Sequence, residues 1–224
     1  MGLDVTPLKQ TNLGEQVARE LRVLIVDGRL VSGVHLIEAD LSRDFGVSRG
    51  PIRDALRKLE AEGLVETRQR GTFVVGLTEQ DVAEMFSLRQ TLESFALRLC
   101  ADRDDLDWGA FEDPLARMRA AADVSDAATF ALADLQFHAL FYELSGHRRL
   151  NALWRDNEPT FSTLLTLTTA RDVDLHPSAE SHAEILEYVR AGDLERALRE
   201  LEVHLEGASR RLREARREAS VEAP

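Results

Sequence analysis

The 224-residue sequence holds one cysteine, Cys100, so neither an internal disulfide nor a cysteine-rich zinc site is open to it. No run approaches the roughly 20 apolar residues that cross a bilayer. The opening Met1-Gly2-Leu3-Asp4 lacks the basic-then-apolar order of a secretory signal. Repeats and low-complexity tracts are missing as well. Apolar residues at 44% and charged residues at 30% exclude wholesale disorder. These absences lead to the expectation of a soluble, cytoplasmic protein with no membrane partner, and the length suits two domains.

The charge is unevenly shared. The formal net charge is −12, yet residues 1–76 carry 11 Lys and Arg against 11 Asp and Glu, and residues 77–224 carry 17 against 29. A polyanion can therefore be approached by the first part alone. The residue patterns divide at the same place. Leu13, Val17, Leu21, Leu24 and Ile25 recur at helical spacing and stop at Asp27-Gly28. After a loop over 30–34 come a short helix over 38–45, a Gly46-Val47 turn, and a helix capped by Ser48 that runs to about residue 62. Pro51 falls in its first turn, where a missing N–H costs little. Residues 64–67 and 72–75 read as strands around Arg68-Gln69-Arg70-Gly71.

From Thr78 onward no strand is predicted. Six helices are expected, over 79–101, 104–122, 126–145, 148–170, 178–191 and 194–218, with Thr78 and Ser125 as caps and Gly146 and Gly192 as stops. Pro114 and Pro159 fall inside apolar patterns and should kink or break them. Arg210 to Arg217 read as a solvated, fraying tail. The fold class is thus mainly α: a winged helix-turn-helix over 1–76, then an all-α helical bundle over 77–224.

A short helix, a glycine turn, a capped helix and a basic hairpin suit DNA. The second helix presents Arg49, Arg53 and Arg57 at i, i+4 and i+8, one face of a rod that fits the major groove. Arg70-Gly71 at the hairpin tip can enter the neighbouring minor groove. Taken alone, that face reads first as an ordinary solvated arginine stripe; the upstream helix, turn and wing reverse that in favour of DNA. The run Leu41-Ser42-Arg43-Asp44-Phe45-Gly46-Val47-Ser48-Arg49-Gly50-Pro51-Ile52-Arg53-Asp54-Ala55-Leu56, with Leu59 to Val65 and Arg70-Gly71-Thr72-Phe73-Val74, closely resembles the DNA-binding domain of GntR-family transcription regulators. The resemblance implies a homodimer on palindromic double-stranded operator DNA, with Arg49 and Arg53 reading bases and the wing tip reading the minor groove. Candidate DNA contacts are Arg43, Ser48, Arg49, Arg53, Arg70 and Gly71. Glu38-Ala39-Asp40 stands where many members carry a basic residue.

The second part places polar residues on apolar stripes. Asp134 shares a helix face with Phe130, Phe137 and Phe141, and His138 follows one turn later. His182 sits among Ser178, Ile185, Leu186 and Val189; His204 borders Ala197, Leu201 and Ala208. An ionised carboxylate under aromatics costs several kcal/mol unless paired or metal-bound. One Asp and three His on three inward faces read as a metal site, against the alternative of hydrogen-bonded core histidines. The segments around Asp134–Phe141, His182–Leu186, Ala191-Gly192-Asp193 and His204 resemble the FCD effector domain of the FadR-like branch. In metal-binding members of that branch an Asp and three His hold a divalent ion, and acyl-CoA-sensing members lack the set.

The ion is expected to be zinc, nickel or manganese. It is either saturated and structural, or octahedral with positions left for a small anion. Arg89 lies on the inward stripe of Val82, Met85, Phe86, Leu92 and Ala96. It either grips an effector carboxylate or pairs with Glu93 at i+4. The leading expectation is a repressor released by a small organic acid bound at the metal. The alternatives are a structural metal, or a metal hydrolase tethered to DNA. No His-Glu-x-x-His or Gly-x-Ser-x-Gly in residues 77–224 supports the hydrolase; the one match, Gly46 to Gly50, lies in the helix-turn-helix.

Overall fold

The apolar spacing after residue 12 forms α1, Leu13–Val26, which buries Val17, Leu21 and Ile25. The computed structural model describes residues 13–222, with side chains to residue 214. The reading of Met1 to Asp4 and the side chains of Ala215 to Arg217 therefore lie outside the described residues. The chain forms two compact units, one ending at Gly76 and one beginning at Leu77.

In the first unit, α1 is followed by β1 (His35–Leu36), α2 (Glu38–Phe45), α3 (Arg49–Ala61), β2 (Val65–Arg68) and β3 (Gly71–Val74). Gly46 takes φ 64°, the left-handed turn that ends α2 and re-aims the chain into α3. Ser48 occupies the N-cap of α3 in extended backbone. Ile52, Ala55, Leu56 and Leu59 form the buried face of α3, which packs on α1 and α2. At Gly14 a Cβ would come 3.0 Å from Cβ of Asp54, so glycine permits the close α1–α3 approach. Arg22 closes the other end with two 2.6 Å hydrogen bonds to Glu62.

The sheet order is β1-β3-β2, with Arg68 paired to Gly71 across a two-residue turn. The strand β1 departs from expectation, since that stretch reads as loop and lead-in to a helix. Two residues carry no alternation to detect; their partner is β3, where His35 pairs with Phe73.

The second unit consists of α4 (Glu79–Ala101), a 3₁₀ turn (Trp108–Phe111), α5 (Glu112–Asp123), α6 (Ala127–Leu144), α7 (Arg148–Thr169), α8 (His176–Arg190) and α9 (Leu194–Glu222). The central helix is α6, packed against α4, α5 and α7, while α8 and α9 pair and α9 returns onto α4. Phe111, Phe130, Phe137, Phe141, Tyr142 and Trp154 fill the core. Among the described residues no helix is long and apolar enough to cross a membrane.

Four expectations are corrected. The stretch 104–122 is not one helix: residues 104–107 are not helical, the 3₁₀ turn follows, and Pro114 lies in the first turn of α5, where its missing N–H has no intrahelical partner to lose. Pro159 does not break α7, which continues to Thr169. The cap of α6 is Asp126, whose side chain accepts from Thr129 N–H; Ser125 instead turns the chain at φ 54°. Finally, α9 is not solvated through its last described side chains, because Leu212 is buried and Arg211 faces Asp172 at 3.3 Å.

Candidate metal centre and nucleic-acid interface

The DNA-reading candidates lie on one unit and in solvent. Arg49 and Arg70 are exposed, with no ion pair among the described residues. Arg53 directs Nε at Glu38 (2.9 and 3.1 Å) and its side chain is exposed. Arg43 pairs with Asp40 at 2.9 Å, and Arg57 with Asp54. Ser48 is exposed at the start of α3 and Gly71 opens β3. Gly71 takes φ 125°, a conformation that L side chains rarely adopt, and a Cβ there would also meet the ring of His35. His35 itself stacks on Phe73 at 4.6 Å. The backbone itself therefore calls for glycine at the wing tip.

In the helical unit, Asp134, His138, His182 and His204 converge. One ligand atom from each lies within 4.8 Å of the others, and all four residues are buried. The helices account for this. A four-residue step puts Asp134 and His138 on the same face of α6, and the rings of His182 from α8 and His204 from α9 meet that of His138.

The outer nitrogen of each imidazole is occupied. His138 Nδ1 donates to Glu93 Oε2 at 2.8 Å, and His182 Nδ1 to the Ser178 carbonyl at 2.6 Å. His204 Nδ1 lies 3.3 Å from Ser181 Oγ, whose own proton goes to Glu200 at 2.7 Å, so the imidazole is the donor. These bonds turn the Nε2 lone pairs of His138 and His182 inward, where they face each other at 3.2 Å. Two lone pairs at that distance repel unless a cation or a proton lies between them. Neighbouring nitrogens on one ion with bonds of roughly 2.1 Å sit about 3.0–3.4 Å apart. Asp134 Oδ1, also buried, has no hydrogen-bond partner. The residues fit a divalent ion.

Electrostatics point the same way. Burial, helped by His182 and His138, pushes the His204 imidazolium well below the usual histidine range, and burial lowers His138 against the pull of Glu93. Neutral imidazole is the form that binds metal. Burial opposes charge on Asp134, but His182, His138 and His204 outweigh it and hold the carboxyl far below the ordinary range. Arg89 is 1% exposed and donates Nε to Glu93 Oε1 at 2.7 Å, so the ion pair is the state seen. Its guanidinium lies over Phe161 (5.4 Å) and Trp154 (6.0 Å), with Nη2 buried and unpartnered.

Residues 84–207 match the FCD domain, and residues 13–75 match the bacterial regulatory proteins of the gntR family. The chain belongs to the gntR family. Among its relatives in that family is the gluconate operon transcriptional repressor of Bacillus subtilis, 30% identical over 72% of this chain and 67% of that one. A Paenarthrobacter nicotinovorans protein described as "Probable D-xylose utilization operon transcriptional repressor" is 31% identical over 88% of each chain. A crystal structure of a GntR transcriptional regulator from Rhodococcus sp. RHA1 superposes with TM-score 0.65 at 26% identity, over 90% of this chain and 98% of that chain. These are regulators of transcription, not enzymes, and members of the gntR family bind operator DNA. The hydrolase reading falls.

Sequence reasoning placed Glu93 only as a partner for Arg89. Its second oxygen on His138 joins the arginine to the ligand cluster, a contact across 45 residues that no local pattern announces. Ser178 and Ser181 were likewise unreadable as orienting partners, although both lie within one turn of His182.

Proposed function

We propose that this gntR-family regulator is a cytoplasmic repressor that binds palindromic operator DNA as a homodimer and is controlled by a small organic acid bound at a divalent metal. Its DNA contacts are Arg43, Ser48, Arg49, Arg53, Arg70 and Gly71; its metal ligands are Asp134, His138, His182 and His204; and Arg89 takes the acid. The observation that carries this reading is the 3.2 Å approach of two inward imidazole nitrogens whose outer nitrogens are already committed. Three histidines and one carboxylate suit zinc, nickel or manganese. The relatives' names, a gluconate operon repressor and a D-xylose operon repressor, support repression and a small carbohydrate-derived signal.

The ion supplies positive charge that attracts an anionic ligand. Everything else is done by the chain. Glu93, Ser178 and Ser181 hold the imidazoles in the binding tautomer. Arg89 offers its free Nη2 to a carboxylate, and that carboxylate competes with Glu93 for the guanidinium. Because Glu93 also holds His138, exchange at Arg89 alters the packing of α4 against α6. An effector shifts the DNA-binding equilibrium only through such a difference between states.

The test pairs elemental analysis with operator affinity in His182→Ala. The variant is expected to lose metal, to keep operator binding, and to lose its response to small organic acids. A metal-free variant that still responds fully would leave the metal a structural role only.

A further inference from the structure

The elements that carry the DNA-reading candidates also carry carboxylates, and a carboxylate there repels the phosphates of an approaching duplex. Two of them have a local reason. Asp40 pairs with Arg43 and Asp54 with Arg57, each three residues away on its own helix. Glu38 is different. It opens α2 and reaches across to α3, where both of its oxygens accept from Nε of Arg53, at 3.1 and 2.9 Å. The Glu38 and Arg53 side chains are 36% and 60% exposed, so the pair stands in water. Together with Thr67 and Thr72 of the wing it lines a groove of about 290 Å³.

Both oxygens use the same donor. A guanidinium has five N–H groups, and four of them belong to the terminal nitrogens, which Glu38 does not engage. The O6/N7 edge of guanine needs two donors side by side, and the terminal nitrogens provide them while Nε stays on the carboxylate. A phosphate makes no such demand. The carboxylate is itself anchored: the first turn of α2 has no side-chain cap at Ile37, and its free N–H groups favour a negative charge. An arginine fixed at Nε loses less side-chain freedom on closing onto a base than one that sweeps through solvent.

We propose that Glu38 is a positioning residue for base reading: it holds Arg53 by Nε so that the two terminal nitrogens meet a guanine edge, and its charge weakens binding to DNA of any other sequence. The proposal rests on Arg53 being a base contact, as above, and adds the residue that aims it. It accounts for an acid on a surface that meets a polyanion. It also gives Glu38 effects of opposite sign on specific and random DNA, which a carboxylate that only steadied α2 would not have.

The test offers the full-length protein a pool of randomised duplexes at fixed salt and sequences the bound fraction. The parent and Arg53→Ala together identify the base pair that Arg53 reads. Glu38→Ala is expected to lower the preference for guanine at that base pair about tenfold, and at no other, while affinity for the pool as a whole rises about two- to threefold. Glu38→Gln, whose amide oxygen still accepts from Nε, should raise pool affinity likewise and keep the preference within about threefold of the parent. An unchanged preference in Glu38→Ala overturns the proposal: the carboxylate is then displaced when DNA arrives, although Arg53 still reads its base. A loss spread evenly over all positions, or one that Glu38→Gln does not restore, overturns it too and leaves Glu38 to the stability of α2. If Arg53→Ala changes no base preference, the reading of Arg53 falls and takes the proposal with it.

Discussion

The two units use the same side chain in opposite ways. The arginines of α3 stand in water beside carboxylates they can leave: Arg53 against Glu38 and Arg57 against Asp54 are exposed pairs. Such pairs are worth only about 0–1 kcal/mol, so a phosphate displaces the carboxylate at little cost. Arg89 and Glu93 are 1% and 0% exposed. Breaking a buried pair and leaving one partner uncompensated costs about 3–5 kcal/mol. Glu93 can therefore be released from Arg89 only by something that brings its own negative charge. One unit holds its arginines in exposed pairs that open cheaply; the other holds an arginine in a buried pair that is costly to open.

The strongest way to break this comparison is the double variant Arg49→Ala/Arg53→Ala. Bidentate base contacts are worth about 1–3 kcal/mol each, so the pair should remove about 2–6 kcal/mol per half-site. Footprinting at fixed salt is expected to show no specific protection, with metal content unchanged. Normal protection would dismiss α3 as the recognition helix.

Glu93→Ala tests the buried side. It strands the Arg89 guanidinium and frees His138 Nδ1, so the helical unit should lose about 3–5 kcal/mol of stability. Trp108 and Trp154 are the chain's two tryptophans and both lie in that unit, so denaturant unfolding followed by tryptophan fluorescence reports on it alone. A loss below about 1 kcal/mol would mean that the pair is no more costly to break than a surface one.

Much of this arrangement is legible in the sequence because it is local. The turn at Gly46, the cap at Ser48 and the inward stripes of α4, α6 and α8 all follow from spacing within one element. His182 reads as buried because Ile185, Leu186 and Val189 flank it, and it is. What escapes is whatever depends on a partner far along the chain. The strand at His35-Leu36 exists because β3 pairs with it; Glu93 matters because α6 delivers His138 to its second oxygen. Pro159 misleads for a related reason: local rules penalise it, but Trp154, Phe161 and Leu164 around it are buried in the core and hold α7 together.

Arg70→Ala should have a smaller effect than the α3 pair. Arg70 sits at the turn between β2 and β3, outside the major-groove face, so its loss should weaken operator binding modestly and relax preference at flanking positions. Comparing specific with random duplexes separates the roles. An equal loss on both would reduce Arg70 to a phosphate contact.

The smallest expected effect lies on the surface of the helical unit. His176, at the start of α8, faces Asp174 at 2.8 Å and Asp123, at the end of α5, at 3.1 Å. Hydrogen bonds to Asp174 first and Asp123 second raise its pKa above the ordinary histidine value. A raised folded-state pKa stabilises the fold fully below the unfolded value, near 6.5, and that contribution disappears as pH rises through the folded pKa. The imidazole is about half exposed, so solvent screening keeps the effect small. Thermal melts of the parent and His176→Gln should therefore differ more at pH 5.5 than at pH 8.5, the parent being the more stable at the lower pH. A gap that widens toward pH 8.5 would show that the neutral ring's hydrogen bonds, not its charge, tie α8 to α5.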